Sequence, residues 1–226
     1  GGRRQQAVAE LVEQAGAGLD LAKVTSTYTL PTNVENGTID LTAASGVTLI
    51  GNNGENILTN LSDWAQSLDG GLGADKLYGG IYADELNGGP DGDADFLVGG
   101  LGNDILNAQG YGNDQLWGGR GNDTIHGSSG NNVFHYALGD GIDEVWGDGG
   151  IDMMNFNSTG AAQAITVSLI GESLKLSYSQ SDYVIVNDWT WRPLGVTLPN
   201  GIVVSASEIN AHFAPATMGW TTGVYN

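Results

Sequence analysis

The chain has 226 residues, and its 40% hydrophobic content is enough to build a core, which excludes a disordered tail. Seven Lys and Arg stand against 26 Asp and Glu, giving a formal net charge of -19 that repels phosphate backbones and anionic membrane surfaces. We therefore expect cations, and no nucleic acid, as partners. Because the chain has no Cys, any cross-link that stabilises the fold has to come from something other than disulfides, such as metal.

The first 25 residues predict a short helix and an upstream linker. Apolar residues recur at helical spacing from Ala7 to Ala15, and Gly16 and Gly18 follow as stop signals. We expect this helix to pack on the neighbouring coil or to close an upstream domain. The chain opens on Gly rather than Met, without an apolar run of signal-peptide or transmembrane length, so we expect a fragment or processed piece with no transmembrane segment.

Residues 26–69 alternate apolar and polar positions in the manner of strands, as in "GTIDLTA" and "GVTLIGNNGENILTN". We predict irregular coils here. They precede a region, residues 70–155, in which Gly and acidic residues are concentrated and a nine-residue period recurs. The complete units are GGLGADKLY (70–78), GGLGNDILN (99–107) and GGRGNDTIH (118–126).

Each position of the unit has a physical role. Glycines at positions 1, 2 and 4 permit positive φ and close backbone approach in a tight turn. Position 8 is apolar in every unit, from Leu77 to Met154, which predicts a strand of three residues whose central side chain points inward. Turn, strand, turn and strand close one coil of a solenoid in eighteen residues.

Position 6 of the unit carries Asp, and stacking places each such Asp above the one two units away. One predicted row is Asp75, Asp95 and Asp114, and the other is Asp84, Asp104, Asp123 and Asp143. Two unit charges about 4 Å apart repel by roughly 4 kcal/mol at a surface-like dielectric, so such rows need a counter-charge. A hard divalent cation bound by carboxylates and main-chain carbonyls would supply it.

An EF-hand loop is the alternative interpretation of Asp91, Asp93 and Asp95. Phe96 and Gly102, however, occupy the positions where that loop needs Gly and a bidentate Glu. We therefore assign Asp95 to the row and the two preceding Asp to an enlarged turn. Asn132 replaces the row Asp in its own unit, keeping an oxygen but losing a charge, so the row should weaken there.

In residues 156–226 the sequence pattern changes to paired apolar segments, and Asn200-Gly201 is a dipeptide that favours a hairpin. We predict a small antiparallel sheet that caps the solenoid. The absence of HExxH, GxSxG and Walker A patterns excludes the corresponding peptidase, hydrolase and nucleotide sites, so we expect no enzyme here and any catalysis in an upstream domain.

The units at 70–78, 99–107 and 118–126 resemble the GGxGxDxUx signature of the RTX (repeats-in-toxin), haemolysin-type calcium-binding family. The resemblance implies an all-β parallel β-roll that folds on several Ca²⁺ ions after type I secretion, in a bacterial protein that is secreted or held at the cell surface. The module would then stabilise or present a larger extracellular toxin, hydrolase or adhesin. The alternative is a surface-layer, adhesin or glycan-binding module in which calcium rigidifies a recognition face.

The resemblance also implies the ligands: the position-6 carboxylates and the carbonyls at positions 1 and 3 of each turn. Besides the two Asp rows, the implied metal residues are Gly70, Leu72, Gly79, Ile81, Gly88, Pro90, Gly99, Leu101, Gly118 and Arg120. Departures from the pattern occur at Tyr82, at the insertion from Pro90 to Gly92, at Gln109 and at Asn132.

One outward face of the solenoid is predicted to be more apolar than the other. Tyr78, Phe96, Val98 and Trp117 are its prominent members, and a contiguous exposed apolar patch usually marks an interface. Docking of a terminal segment of the same chain and binding of a sugar or surface ligand are both open.

Overall fold

The computed structural model of the protein describes residues 10–11, 18–157, 165–187, 194–198, 202–205, 207–209 and 223–225. These residues form a β-solenoid in which the chain passes alternately between two sheets of parallel strands, with antiparallel strands at the C-terminal end. The predicted all-β parallel roll is confirmed.

Strands are numbered β1 to β22 along the chain. In spatial order, the first sheet contains β1 (Glu10–Leu11), β2 (Leu21–Val24), β4 (Asn36–Ile39), β6 (Ile57–Asn60), β8 (Lys76–Gly80), β10 (Phe96–Leu101), β12 (Gln115–Arg120), β14 (Val133–Ala137), β16 (Asp152–Asn157), β20 (Leu194–Thr197) and β21 (Val203–Val204). The second sheet, read from the opposite end, contains β3 (Tyr28–Thr29), β5 (Thr48–Ile50), β7 (Ser67–Asp69), β9 (Glu85–Asn87), β11 (Ile105–Asn107), β13 (Thr124–His126), β15 (Ile142–Trp146), β19 (Tyr183–Asn187), β18 (Ser173–Ser177), β17 (Ile165–Ile170) and β22 (Gly223–Tyr225).

The core is a stack of the central side chains of these short strands. Leu97 pairs in register with Leu77 on one side and Leu116 on the other, and all three are fully buried. The predicted inward position 8 is confirmed in every unit from Leu77 to Met154, with at most 2% of each side chain exposed. Burial of one such side chain contributes roughly 1.5–3 kcal/mol, so the repeated position 8 fixes the register of the roll.

The parallel stack begins well before the nine-residue units. Strand β4 pairs in parallel with β2 and β6, and β5 pairs with β3 and β7, in the same alternation between sheets. Leu49, Leu58 and Leu68 are fully buried in line with the repeat leucines. The coils predicted as irregular are therefore continuous with the roll.

The predicted N-terminal helix is wrong at the two positions that the structure describes. Glu10 and Leu11 form a strand that pairs antiparallel with Lys23 and Ala22 at the open edge of β2. An edge strand presents unpaired N–H and C=O groups, and this pairing satisfies part of them. The remainder of the predicted helix lies outside the described residues.

The C-terminal strands form the predicted antiparallel pairs at the end of the roll, and they do so as extensions of the two solenoid sheets. Strands β17, β18 and β19 pair antiparallel, as expected, but β19 joins β15 in parallel and β20 joins β16 in parallel. Strands β20 and β21, which flank the predicted hairpin dipeptide, pair antiparallel, while the dipeptide itself lies outside the described residues. None of the helices within the described part of the chain has the length and apolar character to cross a bilayer.

Candidate metal-binding turns

The turns between the two sheets bring the position-6 Asp side chains into two rows. In the first row, the backbone N–H of Asp75 donates to Oδ1 of Asp95, and the N–H of Asp95 donates to Oδ1 of Asp114, both at 2.8 Å. The predicted stacking of Asp two units apart is therefore present. Each carboxylate uses one oxygen to hold the turn of the coil before it.

The second row has the same geometry on the opposite edge of the roll. The N–H groups of Asp84 and Asp104 donate to Oδ1 of Asp104 and Asp123 at 2.8 Å, and Asp123 N–H donates to Oδ1 of Asp143 at 2.9 Å. The inclusion of Asp143 at the end of this row agrees with the predicted register.

The second carboxylate oxygen has no such partner in five of these turns. Oδ2 is buried, and has no hydrogen-bond partner among the described residues, in Asp75, Asp84, Asp104, Asp114 and Asp123. These side chains are at most 2% exposed, so water does not satisfy the oxygens from outside. A buried carboxylate oxygen without a partner is costly, and this cost recurs along both rows.

Main-chain carbonyl oxygens approach the same places. A Cβ built on Gly99 would overlap Oδ2 of Asp104 and would lie 2.6 Å from the carbonyl oxygen of Gly118 in the next coil. Gly79 has matching neighbours, Oδ2 of Asp84 and the carbonyl of Gly99, and so do Gly70 and Gly88. In these turns position 1 is glycine because carboxylate and carbonyl oxygens converge against it, leaving no room for a side chain.

Burial makes the charged form of these carboxylates unfavourable. It raises the pKa to about 8 for Asp75 and Asp143, to about 7 for Asp95, Asp104 and Asp123, and to about 6 for Asp84 and Asp114. The backbone N–H bond to each carboxylate opposes this rise, while neighbouring Asp charges add to it in most of the turns. Near neutral pH, a positive charge beside these groups would favour their ionised form.

The donor set suits a hard cation such as Ca²⁺, which prefers six to eight oxygen ligands from carboxylates and carbonyls. Within the described residues, no three His, Asp or Glu side chains cluster as a metal site. The oxygens available to a cation are the free carboxylate oxygen of these five turns and the carbonyls of the first glycines, as at Gly88, Gly99 and Gly118.

The position-3 residues that the resemblance implied as carbonyl ligands lie at the outer surface of the turns. The side chains of Leu72, Ile81 and Leu101 are 40%, 51% and 45% exposed. The carbonyl of Arg120 accepts the N–H of Gly102 at 2.8 Å, which leaves that oxygen one lone pair. Their role as ligands remains a prediction.

The EF-hand alternative is not supported by the local geometry. Asp91 accepts the N–H of Gly73 with Oδ2 and that of Asp93 with Oδ1, while Asp95 stays in its row. Asp91 thus lies in the predicted enlarged turn, and its bond to Gly73 links this turn to the coil before it.

The apolar outer face is a continuous aromatic strip. The ring centroids of Tyr78 and Phe96 are 6.0 Å apart, those of Phe96 and Trp117 are 4.5 Å apart, and Trp117 stacks on His135 at 3.7 Å. Val98 lies between Tyr78 and Trp117 in the register of the same sheet. The predicted members of this face therefore lie together, and their role as an interface remains a prediction.

Sequence reasoning missed the amide side chains that occupy the row position in neighbouring coils. Asn56 and Gln66 immediately precede β6 and β7, just as Asp75 and Asp84 precede β8 and β9. The backbone N–H groups of these two amides donate to Oδ1 of Asp75 and Asp84 at 2.7 Å, so the rows run into the earlier coils. The position directly before each strand was the signal that would have found them.

Comparison with known proteins identifies the repeats. A model of the RTX calcium-binding nonapeptide repeat matches the chain in four copies, over residues 69–106 and 109–142. No curated protein matches the chain.

Proposed function

We propose that this chain, whose residues 69–142 carry RTX calcium-binding nonapeptide repeats, is a module that folds on Ca²⁺ after type I secretion and stabilises or presents a larger extracellular protein. Proteins with these repeats are typically extracellular, which supports this location. The proposal assigns no catalysis to this chain and places any activity in another domain of the protein, upstream of the repeats.

The observation that carries the proposal is the set of five buried Oδ2 atoms without a hydrogen-bond partner. Ca²⁺ would be held by these oxygens and by the carbonyls that converge on the first glycines, as at Asp104 and Gly118. When bound, the ion supplies positive charge and coordination to oxygens that the protein leaves unsatisfied. The chain itself supplies the backbone N–H bonds that hold each Oδ1 and so orient the carboxylate.

This arrangement couples ion binding to folding. Without a cation, buried carboxylates oppose the closure of the coils, because their charged form loses solvation. Where no preformed site exists in the unfolded chain, the free energy of metal binding becomes free energy of folding. We infer that low free Ca²⁺ inside the cell keeps the repeat region loose enough for export and that the outside medium folds it.

The test is far-UV circular dichroism of the full chain during a Ca²⁺ titration, with Mg²⁺ as the matched control because its smaller octahedral shell suits this donor set poorly. A cooperative gain of β-structure with Ca²⁺ alone is expected. The expected midpoint is roughly 10⁻⁴ to 10⁻³ M, the range of extracellular calcium modules. A fully folded, unresponsive apo chain, or a submicromolar midpoint that would fold the chain before export, contradicts the proposal.

The aromatic strip favours a second candidate, a recognition module in which calcium rigidifies the sheet that displays it. Tyr78, Phe96 and Trp117 form a ladder across three adjacent strands, and aromatic faces of this kind suit the apolar faces of sugars. Glycan binding by the wild-type chain that Trp117→Ala abolishes, at unchanged thermal stability, would support this candidate. Loss of stability without any glycan binding would instead assign the strip to packing.

A further inference from the structure

The turn that lacks the row Asp is held by an amide. In this turn, Oδ1 of Asn132 accepts the N–H of Asp114 at 3.0 Å, as a row carboxylate would. Its Nδ2 donates to the carbonyl oxygens of Gly127 at 2.6 Å and Gly130 at 3.1 Å. The side chain therefore keeps the row intact and also satisfies oxygens of its own turn.

Nδ2 of Asn132 occupies the place that Oδ2 takes in the Asp turns. A Cβ on Gly127 would meet Nδ2 of Asn132 at 2.8 Å, whereas a Cβ on Gly118 would overlap Oδ2 of Asp123. The two amide hydrogens point positive charge at carbonyl oxygens, which is the task that a cation would perform in the neighbouring turns. Because the amide is neutral, no buried charge remains to be balanced.

Buried amides with both polar ends bonded also hold the coils before the repeats. Gln66 accepts the N–H of Val47 with Oε1 at 2.6 Å, and its Nε2 donates to the carbonyl of Ala44 and to Oγ of Ser62 at 2.8 Å. Asn56 accepts the N–H of Asn52 with Oδ1 at 2.7 Å. Its Nδ2 reaches two carbonyl oxygens of the preceding coil at 3.3 Å, so both polar ends of each amide are satisfied.

A further amide, Asn60, bonds to Asp84, the first Asp of the second row. Nδ2 of Asn60 donates to Oδ1 of Asp84 at 3.0 Å, and its Oδ1 accepts both the N–H and the hydroxyl of Ser62. Asn56, Asn60, Gln66 and Asn132 are all at most 4% exposed, so these bonds form in the interior. Along the chain, amides thus precede and follow the six Asp turns from Asp75 to Asp123, and five of these turns have an Oδ2 without a hydrogen-bond partner among the described residues.

We propose that the amide turns fold without an ion, that calcium is confined to the Asp turns, and that residues 18–66 are a calcium-independent segment of the solenoid. This inference rests on the proposed calcium-binding function of the Asp turns. It divides one continuous roll into a part that is ordered before calcium arrives and a part that is not.

Hydrogen–deuterium exchange of the full chain, with saturating Ca²⁺ and with chelator, tests the division. With chelator, amides of residues 18–66 are expected to keep at least a tenfold protection, while those of residues 70–126 lose it. Equal loss in both segments overturns the inference and leaves calcium-dependent folding standing. Equal retention in both segments overturns the proposed function as well.

Substitution of the amide tests the assignment at a single turn. Asn132→Asp is expected to gain at least one bound ion by native mass spectrometry at saturating Ca²⁺, and to make exchange of this turn calcium-dependent. Asn131→Asp is the matched control: it adds the same charge at an exposed position of the same turn and should gain no ion. An unchanged ion count in Asn132→Asp, or an equal gain in both variants, overturns the assignment.

The reverse substitution, Asp to Asn, covers the case in which Asn132→Asp does not fold. Asp114→Asn is expected to lose at least one ion and to keep its coil folded in Ca²⁺, because its new amide can donate to the turn carbonyls. Loss of the fold in Asp114→Asn, at a Ca²⁺ concentration that folds the wild type, would show that an amide does not replace the ion.

Discussion

The coils before the repeats and the coils of the repeats share one backbone path but satisfy their turns differently. Leu58 and Leu68 in the former, like Leu77 and Leu86 in the latter, are fully buried in one stack. The residue before the strand is an amide at Asn56 and Gln66, whereas it is a carboxylate in each turn from Asp75 to Asp123. The apolar stack and the turns therefore set the same path in both regions, whereas the buried side chain before the strand is a neutral amide in one region and a carboxylate in the other.

The largest expected effect is a difference between the two regions in how their stability depends on pH when calcium is absent. Burial raises the pKa of the row carboxyls from the usual 3.8 to between about 6 and about 8, so the folded state binds more protons than the unfolded state in that window. Stability of the calcium-free repeats is therefore greatest below about pH 4 and falls as the pH rises through about 6 to 8. The stability of residues 18–66 should not fall over this pH range.

Hydrogen exchange at pH 5 and pH 8, corrected for intrinsic exchange rates, measures this difference. Ca²⁺ competes with the bound protons, so the titration midpoint should fall as the pH rises towards 8, with proton release on binding. A calcium-free repeat region that is more stable at pH 8 than at pH 5 would contradict the buried-carboxylate account.

The next effect tests whether the two regions share their core. Leu106→Ala in the repeats and Leu58→Ala before them each leave a cavity at a fully buried position. Each should lower the free energy of unfolding by about 2–5 kcal/mol in saturating Ca²⁺, as measured by denaturant titration. If only one of the two variants lost stability, the apolar stack would not be continuous between the two regions.

A smaller effect is expected where carboxylate and carbonyl oxygens converge on glycine. In Gly99→Ala the new Cβ overlaps Oδ2 of Asp104 and lies 2.6 Å from the carbonyl of Gly118, so the turn has to shift. We expect a loss of roughly 1–3 kcal/mol in Ca²⁺ and a higher titration midpoint. Gly54→Ala, whose nearest atom is 3.4 Å away, is the control and should change neither quantity. Equal effects of the two variants would count against an oxygen-lined site.

The smallest effect concerns a buried carboxylate that has protein donors of its own. Asp182 accepts the N–H of Gly139 and lies 2.8 Å from the hydroxyl of Tyr136, which ties the turn between β18 and β19 to the roll. Tyr136→Phe should lower the free energy of unfolding in Ca²⁺ by about 1 kcal/mol, as measured by thermal denaturation. Tyr178→Phe removes a buried hydroxyl that has no hydrogen-bond partner among the described residues and should cost less. The reverse order would refute the role of Asp182 as an anchor.

Much of the fold and part of the site could be predicted from the sequence. The nine-residue spacing predicted the inward position 8 and the two Asp rows, because a strand has a side-chain period of two and a closed coil repeats its register. The aromatic strip followed from the same alternation, since Tyr78 and Trp117 fall at the same outward position.

The remainder depended on contacts that spacing does not encode. The coils before residue 70 lack the glycine signature, so their continuity with the roll emerged only from the pairing of β2, β4 and β6. Glu10 and Leu11 fit a helical pattern, but the open edge of β2 pairs with them as a strand. Tertiary pairing overrode local propensity there, as it commonly does at sheet edges.

The sequence by itself determined the period, the apolar stack, the Asp rows and the calcium-binding repeats, because each is a property of residues at fixed intervals. Only the tertiary structure decided which oxygens stay unsatisfied. Asn132 and Asp123 differ by one atom at equivalent places in their turns, and only their surroundings show Nδ2 bonded to Gly127 and Gly130 while Oδ2 has no hydrogen-bond partner. Hydrogen bonding depends on distance and direction in three dimensions, so which buried oxygens have a partner becomes visible only in the folded chain.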